Sequence, residues 1–190
     1  MSRPRLQTVV ADTSALVSLA VPRADAAYDT DTAPDPLQYL LTSCDVSVPP
    51  EVVAELRDMA QYQDIHGAAA SNVLAARGHY TVDDPYERAD TPESRPTFGL
   101  DDDETDGIVL ANALDVDGFL TDEFGGTNFP LIHAVLQGPR LIPTPRLIVD
   151  YARSGHMSHE EAGMLITTIS PHRSWENSPY VTQLLQRLDA

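Results

Sequence analysis

Six carboxylates stand where chemistry is expected: Asp12, Glu55, Glu104, Asp106, Asp122 and Glu123. Asp12 ends the apolar run Thr8-Val-Val-Ala11, and Asp122 and Glu123 end the run Gly118-Phe-Leu-Thr121. Glu55, Glu104 and Asp106 lie on segments of helical spacing that join such runs. Four or more carboxylates cannot share a small space unaided, because like charges force some of them to take up protons. A hard divalent ion removes the conflict. Mg²⁺ and Mn²⁺ prefer oxygen ligands and retain waters. Such an ion turns water into a nucleophile and stabilises an in-line phosphoryl displacement. The chemistry implied is metal-assisted phosphodiester hydrolysis.

The elements that must position these acids follow from the pattern. Thr8 to Ala11 reads as a strand buried on both faces, followed by the turn Thr13-Ser14 and a helix ending near Pro22. In an open α/β sheet, ligands bind at the carboxyl edge, where Asp12 stands. Asp12 is equally suited to cap the helix that follows. Leu37 to Leu41 is expected as a short helix and Asp45 to Val48 as a second strand. Pro49-Pro50 then opens a helix whose stripe is Val52, Val53, Leu56, Met59 and Ala60. Glu55 adjoins that stripe, either with its head in water or aimed at a shared acidic site. A second helical segment runs from Gln61 to Arg77, with a break expected at Gly67.

Residues 78–99 carry five acids and three prolines and read as an acidic connecting loop. The acidic head Asp101 to Asp106 opens a helix with apolar positions Ile108, Val109, Ala111 and Leu114. The helix dipole accounts for Asp101, Asp102 and Asp103. Glu104 or Asp106 is then the acid expected to face the sheet. Asn128 to Gln137 and Pro145 to Arg153 read as helices, and Arg140 to Pro143 as the last strand. Ser158 with Glu161 forms a capping box. His156 and His159, at the start of that helix, read as solvated rather than as metal ligands. An amphipathic tail closes the chain with Val181, Leu184, Leu185 and Leu188.

The 190 residues suffice for one domain, expected over 1–155, with a helical extension over 156–190. No apolar run approaches a membrane span, and with Cys44 the single cysteine a cytoplasmic location is expected. There are 29 acids against 12 bases, a net charge of -17, and every base is Arg. That balance excludes nucleic-acid binding through a broadly basic surface. Acids spread along the whole chain point instead to a halophile, where salt screens self-repulsion over about 3 Å at 1 M. The melting temperature is accordingly expected to rise between dilute and molar potassium chloride. An unchanged melt would remove this reading.

Val-Val-Ala-Asp12-Thr-Ser-Ala-Leu, Val-Pro-Pro-Glu-Val-Val-Ala-Glu55-Leu, Glu104-Thr-Asp106-Gly-Ile-Val-Leu-Ala and Phe-Leu-Thr-Asp122-Glu123 together resemble the four acidic motifs of PIN domains. The resemblance covers roughly residues 6 to 150. It implies a three-layer α/β/α sandwich with a central, mostly parallel sheet. It also implies a Mg²⁺- or Mn²⁺-dependent ribonuclease acting on RNA, of the kind found in toxin–antitoxin pairs. An antitoxin protein and a homodimer are the partners such a family admits. By the resemblance, Asp12 is the first-strand acid, with Thr13 or Ser14 the small hydroxyl residue after it, and Glu55 is the second acid. The third position is Asp106 or Glu104, and the fourth Asp122 or Glu123.

Other α/β phosphotransfer folds fit less well. A haloacid-dehalogenase-like phosphatase needs a second Asp where Ser14 stands, and a response-regulator receiver needs a late Lys. The alternative of a different class is a PIN-like module without catalysis that associates with RNA or protein.

Overall fold

A computed structural model describes residues 6–188. Five strands form one all-parallel sheet: β1 (Thr8–Ala11), β2 (Asp45–Val48), β3 (Thr81–Val82), β4 (Gly118–Thr121) and β5 (Arg140–Pro143). Their order is β3-β2-β1-β4-β5. β1 is central, with Val9 beside Val46 on one flank and Gly118 on the other. The chain winds outward from β1 to β3 and then returns to place β4 on the opposite side of β1. The crevice between the carboxyl ends of β1 and β4 is therefore the topological switch point, where open α/β sheets bind ligands.

Nine α-helices are present among the described residues: α1 (Thr13–Ala24), α2 (Pro36–Ser43), α3 (Pro50–Met59), α4 (Ile65–Ala75), α5 (Asp102–Leu114), α6 (Asn128–Val135), α7 (Thr144–Arg153), α8 (His159–Arg173) and α9 (Pro179–Gln186). Side-chain alternation along the strands explains the two helical layers. Val10 and Phe119 point to one face and pack with Ile108, Leu110 and Ile132 of α5 and α6. Val9, Ala11 and Leu120 point to the other, where α1, α3, α4, α7 and α8 supply the cover. The result is the expected three-layer α/β/α sandwich. Residues beyond 155 share this second core, through Leu165, Ile166 and Ile169 of α8 and Trp175, Val181, Leu184 and Leu188 after it. No helix among the described residues is long and apolar enough to cross a membrane.

Two local readings need correction. The helix break expected at Gly67 lies earlier, between Met59 and Ile65, where Asp64 caps α4 by accepting from the Gly67 N–H at 2.9 Å. Gly67 serves close approach instead: a Cβ there would lie 2.0 Å from the Tyr62 carbonyl oxygen. The acidic segment 78–99 is more than a connection. It contributes edge strand β3, whose Thr81 pairs with Ser47, and two 3-10 turns, Arg77–His79 and Pro85–Glu87.

Candidate metal centre

Asp12 lies at the switch point with no solvent exposure. Its N–H donates to the Leu120 carbonyl at 3.0 Å, which ties the end of β1 to β4. The two sequence readings of this residue divide between its two oxygens. Oδ1 caps α1, accepting from the Ala15 N–H and the Ser14 hydroxyl at 2.8 Å each. Oδ2 is buried and has no hydrogen bond of good geometry, although the Thr121 hydroxyl stands beside the carboxylate. Ser14 also accepts from the Asp122 N–H at 3.0 Å, so one hydroxyl links the acids that end β1 and β4.

Around Asp12 Oδ2 the chain leaves further oxygens unsatisfied. Thr13 Oγ1 and Glu55 Oε2 are likewise buried without a hydrogen bond of good geometry, and both residues adjoin Asp103. Between them stands Asp103, in the first turn of α5. Burial and the neighbouring Glu55 carboxylate push its pKa up to about 7. Asp12 is pushed well above the ordinary carboxylate range, first by burial and then by the charge of Asp103. Asp103 is thus repelled by Glu55 and itself repels Asp12, so Asp12 and Asp103 favour protons or a cation. Buried polar atoms are normally well satisfied, so several buried oxygens without a good hydrogen bond around these acids call for a reason.

The remaining expected acids divide. Glu104 is 3% exposed and sends Oε2 to the Asp101 N–H at 3.3 Å, while Oε1 has no partner. Its pKa rises to about 7, through burial and then through the charge of Glu123. Asp106 is turned to the other flank of α5. Arg95 holds both its oxygens at 2.7 Å, and the Tyr86 hydroxyl donates to Oδ1. Asp106 therefore does not present its carboxylate to the space shared by Asp12, Glu55 and Asp103. Asp122 is directed beneath the edge. Its Oδ2 accepts from the Ser18 hydroxyl and from Arg173 Nε, the latter at 3.5 Å, while Oδ1 is unpartnered. Burial raises its pKa, against the opposing pull of Arg173.

Asp103 is the site residue that sequence reading assigned only to the helix dipole. Helical spacing contained the signal. Gly107 packs so close to Phe119 of β4 that a Cβ would meet its ring at 2.8 Å, which marks the sheet-facing stripe of α5. One turn back on that stripe is Asp103. His156 and His159 are apart in role: His156 packs on Tyr39 with ring centroids 4.9 Å apart, and His159 Nδ1 lies 2.8 Å from the Leu188 carbonyl oxygen.

The donor set at the edge is all oxygen, which fits Mg²⁺ or Mn²⁺ and not a soft metal. Among the described residues, no group of three or more His, Cys, Asp or Glu is placed to hold a metal ion. Mg²⁺ commonly needs only one or two carboxylates, with waters completing its shell. Asp12 and Asp103, with Glu55 adjoining Asp103, are the residues that could hold such an ion. No known family model, curated protein or solved structure matches this chain.

Proposed function

We propose that the chain is a metal-dependent endoribonuclease that hydrolyses RNA phosphodiester bonds in the cytoplasm. The observation that carries this reading is the fully buried carboxylate of Asp12 at the switch point, set against that of Asp103, which Glu55 in turn adjoins. The four acidic segments, which resemble PIN domains, add RNA as the substrate class. A bound Mg²⁺ or Mn²⁺ supplies an activated water and stabilises charge on the phosphoryl oxygens. The protein's part is positional. Asp12 is held through one oxygen by Ser14 and Ala15, and Asp103 and Glu55 supply negative charge beside it. Thr13 and Thr121 add buried hydroxyls next to these acids.

One observation favours a second reading, a PIN-like module without catalysis that associates with RNA or protein. It is the closure of Asp106 by Arg95 and Tyr86, which removes one acid from the shared space. The test is incubation with single-stranded RNA in concentrated potassium chloride and Mn²⁺. Internal cleavage that stops on chelation is expected of the nuclease. Intact RNA under all metal conditions would favour the second reading.

A further inference from the structure

The chain's arginines are unevenly placed. Four of the twelve, Arg140, Arg146, Arg153 and Arg187, line one groove along edge strand β5 and helix α7. The carboxylate in that lining is Asp150, which pairs with Arg146 at 2.9 Å. In a chain with 29 acids and 12 bases, a lining of four arginines and one acid reverses the prevailing charge, with Arg140 also set against Asp117 outside the lining. Arg153 and Arg187 are exposed and have no carboxylate partner among the described residues. The arginines nearer the active edge are neutralised, by contrast: Arg95 by Asp102 and Asp106, and Arg173 by Asp122.

The groove's size and lining narrow the ligand. Its volume is about 1480 Å³, beyond the roughly 300–1,000 Å³ of pockets for compact small molecules. Half-buried aromatic rings, Phe129 and Tyr180, stand among the arginines. Cationic side chains that track a backbone, interleaved with rings on which bases stack, are how single-stranded nucleic acid is held without sequence preference. The groove runs along β5 and reaches the segment that follows Asp122 through one ring contact. Phe124, two residues beyond Asp122, packs on Tyr180 with ring centroids 5.3 Å apart, and Phe129 follows in the same segment.

We propose that this groove binds the single-stranded RNA substrate outside the scissile bond, with Arg153 and Arg187 on phosphates and Tyr180 and Phe129 under bases. The proposal rests on the nuclease reading for its choice of RNA. It also answers the objection raised by net charge: the cationic surface is concentrated in one groove.

The experiment is fluorescence anisotropy with a labelled single-stranded RNA of roughly ten nucleotides, titrated with full-length protein in EDTA over a series of potassium chloride concentrations. Wild type is compared with the Arg153→Gln/Arg187→Gln double variant, whose exposed substitutions leave the core intact; thermal melts confirm it. Loss of two phosphate contacts is expected to weaken binding about tenfold and to flatten the slope of log affinity against log salt by about 1.4. Equal affinity and slope in both proteins would overturn the proposal, as would the absence of RNA binding by wild type. So would a sedimentation experiment in which the double variant turns a dimer into a monomer with RNA binding unchanged, since the groove would then be a self-association face. RNA bound through these arginines but never cleaved with Mn²⁺ would support the groove and remove the nuclease reading. RNA cleaved with no dependence on the arginines would do the reverse.

Discussion

Asp12→Asn is expected to lower Mn²⁺-dependent RNA cleavage by at least about a hundredfold, the upper end of what even indirect metal-site changes cost. Folding is expected to survive. Asparagine keeps an Oδ1 for the Ala15 N–H and the Ser14 hydroxyl, which hold the start of α1. What it removes is a carboxylate with no solvent exposure and no hydrogen bond of good geometry at Oδ2. The sign of the stability change follows from linkage. An acid whose folded pKa is raised binds its proton more tightly folded than unfolded, so metal-free stability falls as pH climbs through that window. Removing the charge is therefore expected to leave the metal-free melting temperature unchanged or higher near neutral pH. Kinetics and thermal melts on one preparation decide the matter. Undiminished cleavage would exclude Asp12 from the site, and a collapsed melt would assign it to folding alone.

Arg173→Gln is expected to destabilise the protein strongly. The Asp122 side chain is 5% exposed and that of Arg173 18%, and stranding one member of such a pair costs about 3 kcal/mol, the low end for buried pairs because Arg173 retains some solvent. Arg173 also donates to the Ser14 carbonyl at 3.4 Å, so its loss loosens the turn that carries Asp12. Two comparisons separate charge from packing. The Asp122→Asn/Arg173→Gln double variant should recover much of the loss, since no buried charge is left alone. The single variant's penalty should also shrink as pH falls, because burial already raises the Asp122 pKa and protonation removes the stranded charge. Denaturant titrations at two pH values measure both. A penalty independent of pH and unrelieved by the second substitution would mean that Arg173 acts only through packing.

How far the sequence carried the fold can be judged from particular residues. The strands that end on acids, β1 and β4, were legible because both are apolar runs closed by a carboxylate and a turn. The capping box at Ser158 was legible because it is local chemistry, and the structure retains it, with Glu161 Oε2 2.7 Å from the Ser158 N. β3 was not legible. Two residues carry no periodicity, and Thr81–Val82 is a strand only because β2 offers its edge. The site was half legible. Asp12 ends β1 at the switch point and Glu55 adjoins Asp103, while Asp103 itself, one turn before Gly107 on α5, was read only as a helix-dipole acid. The arginine partners were out of reach. Arg95 is separated from Asp106 by eleven residues across the acidic segment, and Arg173 from Asp122 by fifty-one. Pairings at such separations are set by tertiary packing, which no local pattern records.

Calorimetric titration of the metal-free wild type with Mn²⁺ in concentrated potassium chloride, in buffers of differing ionisation heat at about pH 6 and pH 8, tests the centre most directly. Asp103 and Glu104, each pushed up to about 7 by burial and neighbouring carboxylates, hold protons at the lower pH that a cation must displace. Saturable binding is expected, tighter at the higher pH, with buffer-dependent heat at the lower pH that reports protons released. No saturable binding at either pH would contradict a metal centre at the ends of β1 and β4, and with it the nuclease.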